Sequence, residues 1–317
     1  MMRAAQQVVS ELECAVMREE IMAGLKGHPK QISPKYFYDA VGSHLFEALC
    51  HTPEYYVTRV ERALLENLGP EIARLAGPGC VLIEPGSGNS EKVRLLLDAV
   101  RPAAYVPVEI CGDTLARATA RLGKEHPWLP VHSRHHDYER GVPDGIPQGR
   151  RVVFFPGSSI GNYEPRAAVR FMQRLWQLAG PGGGLLIGVD LKKDAAVLNA
   201  AYNDGAGITA AFNLNLLARL NRELEGEFDL RTFEHCAFFA ADRSRVEMHL
   251  VSRLTQRVRV AGEVIGFAAG ESIHTENSYK YTIDQFRRLA AEAGWKGLAA
   301  WADPEHLFSV QFFTRED

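Results

Sequence analysis

In the segment IEPGSGNSEK, residues 83–92, an acidic side chain, Glu84, closes an apolar run and two glycines, Gly86 and Gly88, follow at once. Such a turn lets backbone approach a ligand more closely than side chains would allow, and Ser90 is of the type that opens helices. A dinucleotide fingerprint wants a third small residue where Glu91 stands, and the phosphate-cradling GxxxxGK[ST] loop is missing. Both observations argue against a ligand held by its phosphates. Two carboxylates extend the pattern. Glu109 lies 21 positions beyond Gly88, after a second apolar run, where a carboxylate can accept both hydroxyls of a ribose. Asp137, in HHDY, can accept from an adenine amino group, with Tyr138 against the ring. A nucleoside whose tail carries a sulfonium and an amino acid, but no phosphate, meets these conditions. S-adenosylmethionine is such a cofactor.

These residues need a frame that brings them to one edge. From Cys80 to Asp190, apolar runs alternate with amphipathic stretches: CVLIE, then SEKVRLLLDAV; AAYVPVEI, then CGDTLARATARLGKE; RRVVFFPG, then EPRAAVRFMQRLWQLAG; and finally GGGLLIGVDL. WLPVHSRHHD is a weaker strand in the same series. The alternation predicts a mostly parallel, Rossmann-like sheet covered on both faces, with ligands beyond the carboxyl ends of its strands. After Asp190 a helical block, including ITAAFNLNLLARLNREL, leads into period-two segments. There Val246, Met248 and Leu250 share one face and Glu247 and His249 the other, which predicts antiparallel hairpins outside the parallel sheet. The helix TIDQFRRLAAEAGW and the strand LFSVQFFT then return to the first pattern. The expectation is an α/β fold in two domains, one over 59–192 and 281–317 and a second, α+β domain over 1–58 and 193–280.

Composition narrows the partners. The 317 residues carry 36 basic and 39 acidic side chains, a formal charge of -3, so no electrostatic footprint for nucleic acid is expected. Five cysteines, Cys14, Cys50, Cys80, Cys111 and Cys236, lack any CxxC pairing and suit a reducing cytoplasm. Glu11, Glu13, Glu19 and Glu20 interrupt the N-terminal apolar positions, so neither a secretion signal nor a membrane partner is expected. A metal is not expected either. In HSRHHD, His132, His135, His136 and Asp137 lack a ligand geometry, because adjacent histidines on a strand diverge. His235, His249 and His274 read as packing or surface residues.

Six separated blocks carry a more specific signal: KYFYDAVGSHLFEALCHTPEYYVTR, EPGSGNSEKVRLLL, FFPGSSIGNY, AYNDGAGITAAFNLNLL, VEMHLVS and HTENSYKY. In these the chain resembles the bacterial histidine N-alpha-methyltransferases of ergothioneine biosynthesis, S-adenosylmethionine-dependent class I methyltransferases that make the trimethylated betaine of histidine. The resemblance implies that fold, that cofactor and L-histidine as substrate. It also implies that Tyr55, Asn162 and Tyr202 grip the substrate carboxylate and alpha amine, with Tyr38 beside the amine. By the same resemblance Glu276 and Ser278 hydrogen-bond the imidazole, Met248 forms an apolar wall beneath it, and Gly86, Lys92, Glu109, Asp137 and Tyr138 occupy cofactor positions. Pro85 and Asn277 depart from the family pattern, and alternation points Asn277 away from Glu276 and Ser278.

The residue types fit those roles. Asn162 offers both donor and acceptor to a zwitterion. An unperturbed tyrosine, with a pKa near 10, is a poor base, so Tyr38 is expected to orient the amine. Glu276 and Ser278, two apart, share a face of an extended segment, and neutral imidazole has one donor and one acceptor nitrogen for them to satisfy. Residue types alone leave open an N-methyltransferase of another amino acid, such as tryptophan, and a non-catalytic amino-acid sensor.

Overall fold

The computed structural model describes residues 2–315 apart from 140 and 142, with side chains from residue 14 onward. Helix α1 (Met2–Lys26) and strand β1 (Lys30–Gln31) precede helices α2 (Ala40–Leu49) and α3 (Tyr56–Ala76). Strands and helices then alternate as β2 (Val81–Pro85), α4 (Glu91–Val100), β3 (Ala104–Glu109), α5 (Gly112–Glu125), β4 (Arg134–His135), β5 (Arg151–Phe155), α6 (Pro165–Ala179) and β6 (Gly184–Asp190). Helices α7 (Ala195–Ala201) and α8 (Ile208–Glu223) lead to β7 (Phe233–Ala240), β8 (Arg245–Ser252), β9 (Gln256–Val260), β10 (Glu263–Phe267) and β11 (Ser272–Tyr279). Helix α9 (Ile283–Glu292) and strands β12 (Trp295–Ala302) and β13 (Phe308–Arg315) complete the series.

The chain divides into two compact units, the first comprising 1–54, 198–240 and 246–277, the second 55–197, 241–245 and 278–317. The second unit holds a seven-stranded sheet in the order β12-β13-β6-β5-β2-β3-β4. The pairs from β6 through β5, β2 and β3 to β4 are parallel, whereas β13 runs antiparallel to both β6 and β12. This strand order is that of a class I methyltransferase. It reverses direction at β2, so the crevice beyond the carboxyl ends of β2 and β5 is where such a sheet binds ligands. Helix α6 covers one face with a stripe of Ala168, Phe171, Met172, Leu175, Leu178 and Ala179 at helical spacing. Each large side chain so buried stabilises the unit by about 1.5–3 kcal/mol.

Helix α3 buries Val57, Leu65, Ile72 and Ala76 along one stripe, and Glu61 stands in the middle of it, fully buried. Room for its carboxylate comes from Gly188 on β6, where a Cβ would lie 2.0 Å from Glu61 Oε1 and 2.9 Å from the Phe308 ring.

The first unit contains α1, α2, α8, most of a four-stranded sheet ordered β1-β11-β8-β7, and the antiparallel β9–β10 ribbon. On β8 Val246, Met248 and Leu250 are buried to 2% exposure or less and His249 is half-buried, but Glu247, expected on the open face with His249, is buried as well. Two expectations need correction. WLPVHSRHHD yields only the two-residue β4 and an isolated bridge from Val131 to Tyr105. The helix expected to reach Trp295 stops at Glu292, because Gly294 turns at φ +87°, and Trp295 opens β12 instead. Among the described residues no helix is long and apolar enough to cross a membrane.

Gly188→Ala is expected to lower unfolding stability by about 1–3 kcal/mol, since the new methyl must push Glu61 or Phe308 aside. Urea unfolding measures it. Gly123→Ala, on the exposed face of α5 with no atom within 4 Å of its Cβ, is the control and should be neutral or stabilising by up to about 1 kcal/mol.

Candidate active site

In the second unit, the carboxyl ends of β2, β3, β4 and β5 lead to several of the polar residues singled out above. Parallel pairing sets Pro85 opposite Val108, so the glycine turn emerges level with Glu109. Val108 O accepts from both Gly86 N (2.8 Å) and Ser87 N (3.2 Å), which fastens the turn to β3. Gly86 and Gly88 both take positive φ, +69° and +52°. A Cβ on Gly86 would meet the Tyr138 ring at 3.2 Å, and one on Gly88 would meet nothing within 4 Å. Glu109 accepts from Gly88 N at 2.8 Å through Oε2, and from Ile110 N (2.9 Å) and Cys111 N (3.0 Å) through Oε1. Asp137 Oδ1 accepts from Glu139 N at 2.9 Å. The Tyr138 ring packs on Phe155 and Phe171, and burial above all pushes its hydroxyl pKa far up, so it stays a donor.

This edge suits a nucleoside without phosphates. Its turn carries a buried hydroxyl, Ser87 Oγ, with no hydrogen-bond partner among the described residues. Its nearby cation, Lys92, is already paired with Glu61 at 2.5 Å. Ser90 occupies the start of α4 as expected but does not cap it. Its backbone is left-handed, at φ 55°, and its Oγ lies 3.1 Å from the Tyr105 hydroxyl instead.

Several residues that shape this edge went unread in the sequence. Glu61 accepts at both oxygens, 2.9 Å each, from Gly157 N in the turn after β5, in addition to Lys92. The sequence signal was a carboxylate in the apolar stripe of α3. Glu84, read in the sequence only as the close of an apolar run, is 2% exposed and accepts from the Tyr105 hydroxyl. Burial pushes its pKa up to about 8, against the lowering effects of the Tyr105 hydrogen bond and the Lys92 charge.

At the end of β6, fully buried Asp190 accepts from Tyr56 Oη (2.7 and 2.9 Å), from Lys280 Nζ (2.6 Å) and from Lys193 Nζ. Burial alone would raise this carboxyl's pKa, and the two ammonium groups outweigh it and hold it below the ordinary value. Burial also draws Lys193 down to about 8, although Asp190 works the other way. Lys280 Nζ donates in addition to Ser278 Oγ at 2.8 Å. Asn162 ends a short 3-10 turn, Ser159–Asn162, in which Gly161 approaches the end of β11 so closely that a Cβ would lie 2.9 Å from Tyr279 O. Asn162, Ser278 and the Asp190 cluster all belong to the second unit, where Tyr55, 8% exposed, immediately precedes α3.

Tyr38, Tyr202, Met248 and Glu276 belong to the first unit. Tyr38 packs edge-on against Phe46 (5.6 Å) and Phe212 (5.9 Å). Tyr202 is braced through its backbone: His235 Nε2 donates to Tyr202 O at 2.9 Å, while Nδ1 accepts from Asn213 Nδ2 at 2.9 Å. Burial lowers the His235 pKa, which favours this neutral form.

On β8 and β11, the His249 and His274 rings meet at 5.0 Å, so Glu247, His249, His274 and Glu276 share one face. Met248, with Ile273 and Thr275, lies on the other, buried face. Asn277 also lies on the buried face, as alternation predicts, and its Oδ1 has no hydrogen-bond partner among the described residues.

Strand order and the glycine turn at the point of reversal define a class I methyltransferase fold. A family profile described as "Histidine-specific methyltransferase, SAM-dependent" matches residues 17–315, and the chain belongs to that family. It is 41% identical to histidine N-alpha-methyltransferase of Mycolicibacterium smegmatis, over 98% of each chain. It is 39% identical to histidine N-alpha-methyltransferase of Mycobacterium tuberculosis, over 94% of this chain and 95% of that one. Ergothioneine biosynthesis protein 1 of Neurospora crassa is 30% identical over 87% of this chain and 32% of its own length.

Glu84 gives this edge a pH signature. Below about pH 4.5 the group is protonated folded or unfolded; from there to about 8 only the folded chain keeps the proton, so stability declines across that interval and levels off above it. The slope is on the order of 1 kcal/mol per pH unit. Glu84→Gln, neutral throughout, is expected to flatten the fall in Tm between about pH 5 and pH 8 relative to the parent. Parallel Tm curves would remove the assignment.

Proposed function

We propose that the chain transfers three methyl groups in succession from S-adenosylmethionine to the alpha-amino nitrogen of L-histidine, giving histidine betaine for ergothioneine biosynthesis. Identity of 41% across 98% of a histidine N-alpha-methyltransferase carries this reading. Five free cysteines suit a reducing cytoplasm as its setting. The second unit is assigned chiefly to the cofactor, and the first chiefly to the substrate.

S-adenosylmethionine, when bound, supplies a methyl group already activated by its sulfonium. The chain must hold the nucleoside, present a neutral amine and keep water away. Glu109 is assigned the ribose hydroxyls, for which its two oxygens retain acceptor capacity beyond the three N–H groups they serve. Asp137 is assigned the adenine amino group, with Tyr138 against the base and Gly86, Gly88 and Lys92 around the amino-acid tail. Tyr55, Asn162 and Tyr202 are assigned the substrate carboxylate and amine, with Tyr38 orienting the amine. Holding the carboxylate firmly and the amine loosely would let the nitrogen turn between transfers.

Recognition of the imidazole is assigned to Glu276 and Ser278. Lys280 has three donors and no acceptor, so where it donates to Ser278 Oγ the serine proton must point elsewhere. Ser278 is then the donor to the unprotonated ring nitrogen, and Glu276 accepts from the N–H. An indole leaves one of these groups unmatched, at a cost of about 1–3 kcal/mol, or one to two decades in relative kcat/KM.

Incubation with labelled S-adenosylmethionine and an amino-acid panel, followed by mass analysis, is expected to give histidine carrying up to three added methyl groups. A product that remains monomethylated, or turnover of tryptophan in preference, would overturn the reading. Glu276→Ala is expected to cost histidine about 10- to 100-fold in kcat/KM and tryptophan far less. Equal losses for both would oppose the imidazole assignment.

A further inference from the structure

The half-open face that carries Glu276 also carries a cluster with no part in the chemistry proposed above. Glu247 and His249 on β8 and His274 on β11 bring one carboxylate oxygen and two ring nitrogens within 4.8 Å of one another. His249 Nε2 lies 3.0 Å from Glu247 Oε2, and His249 Nδ1 lies 3.2 Å from Ser272 Oγ. Phe238 on β7 stacks on the His249 ring at 5.5 Å and is 42% exposed, so the cluster sits under a single aromatic ring near solvent. A hydrogen bond between Glu247 and His249 accounts for two of these side chains. A second imidazole, that of His274, converges on the same point.

We propose that Glu247, His249 and His274 form a binding site for a divalent cation of the zinc class. Imidazole and carboxylate together suit zinc, cobalt or nickel, whereas magnesium and calcium prefer oxygen alone. Ligand bonds of about 2.0–2.1 Å set two ligand atoms about 3.4 Å apart across a tetrahedral ion. The Glu247–His249 spacing is already close to that, and side-chain rotation of about an ångström brings His274 in. With Nδ1–H donating to Ser272 Oγ, the His249 tautomer exposes Nε2 as the ligand, the outer hydrogen bond that metal-binding histidines make. Three protein ligands leave a fourth position for water or a small molecule.

Cobalt(II) titration of the chelator-treated full chain tests this without reference to methyl transfer. The expected result is one equivalent bound, visible absorption of a low-coordinate nitrogen and oxygen site, no thiolate charge-transfer band, and displacement by zinc. His274→Ala and Glu247→Gln should each weaken binding at least about tenfold, with circular dichroism and Tm showing that they fold, while Cys236→Ser should leave it unchanged. No stoichiometric uptake, uptake unaffected by both ligand variants, or a thiolate band would each overturn the proposal. Should one variant fail to fold, the spectrum of the parent protein and the other variant still decide.

Discussion

A single buried carboxylate, that of Glu61, governs how the ligand-binding edge of the parallel sheet is built. It satisfies the backbone of the turn after β5 at Gly157, neutralises Lys92 on α4, and occupies the space left by Gly188 on β6. A charge taken out of water at this cost persists only if its partners are close and well aimed. Helix α3 must therefore hold one rotation against the sheet, and the loops after β2 and β5 inherit their geometry from it.

Glu61, Asp190 and Glu84 lie buried along this edge, and each meets the loss of water differently. Glu61 gathers backbone N–H groups and one lysine. Asp190 draws two ammonium groups and a tyrosine hydroxyl and remains ionised. Glu84, which accepts from Tyr105, instead keeps a proton into the neutral range. The result is an edge whose charge is arranged by the chain itself, with Glu109 fixed by three backbone donors. Pre-aimed groups of this kind need little reorganisation on binding.

Much of this was legible in the order of residues. The glycine turn, Glu109 and the alternation of apolar runs describe local chemistry and period, and the parallel sheet followed from them. The short β4 and the edge strand β12 did not, because WKGLAAWA has three alanines and a glycine and almost no alternation. The buried polar pairs were still less accessible. Glu61 and Gly157 are 96 positions apart, and nothing in either neighbourhood names the other. His235, His249 and His274, read as packing or surface residues, divide on inspection: His235 braces Tyr202, while the other two converge with Glu247.

Strand β13 lies between β6 and β12, hydrogen-bonded on both flanks, and its residues Phe308 to Phe313 are buried throughout. During synthesis β6 therefore leaves the ribosome with an apolar margin unsatisfied, and all of the intervening first-unit segments emerge before the strand that covers it. An open margin of Leu185, Leu186, Ile187 and Val189 invites pairing with other nascent chains. Completion of this sheet thus waits on a strand that follows β6 only after the first-unit segments between 198 and 277.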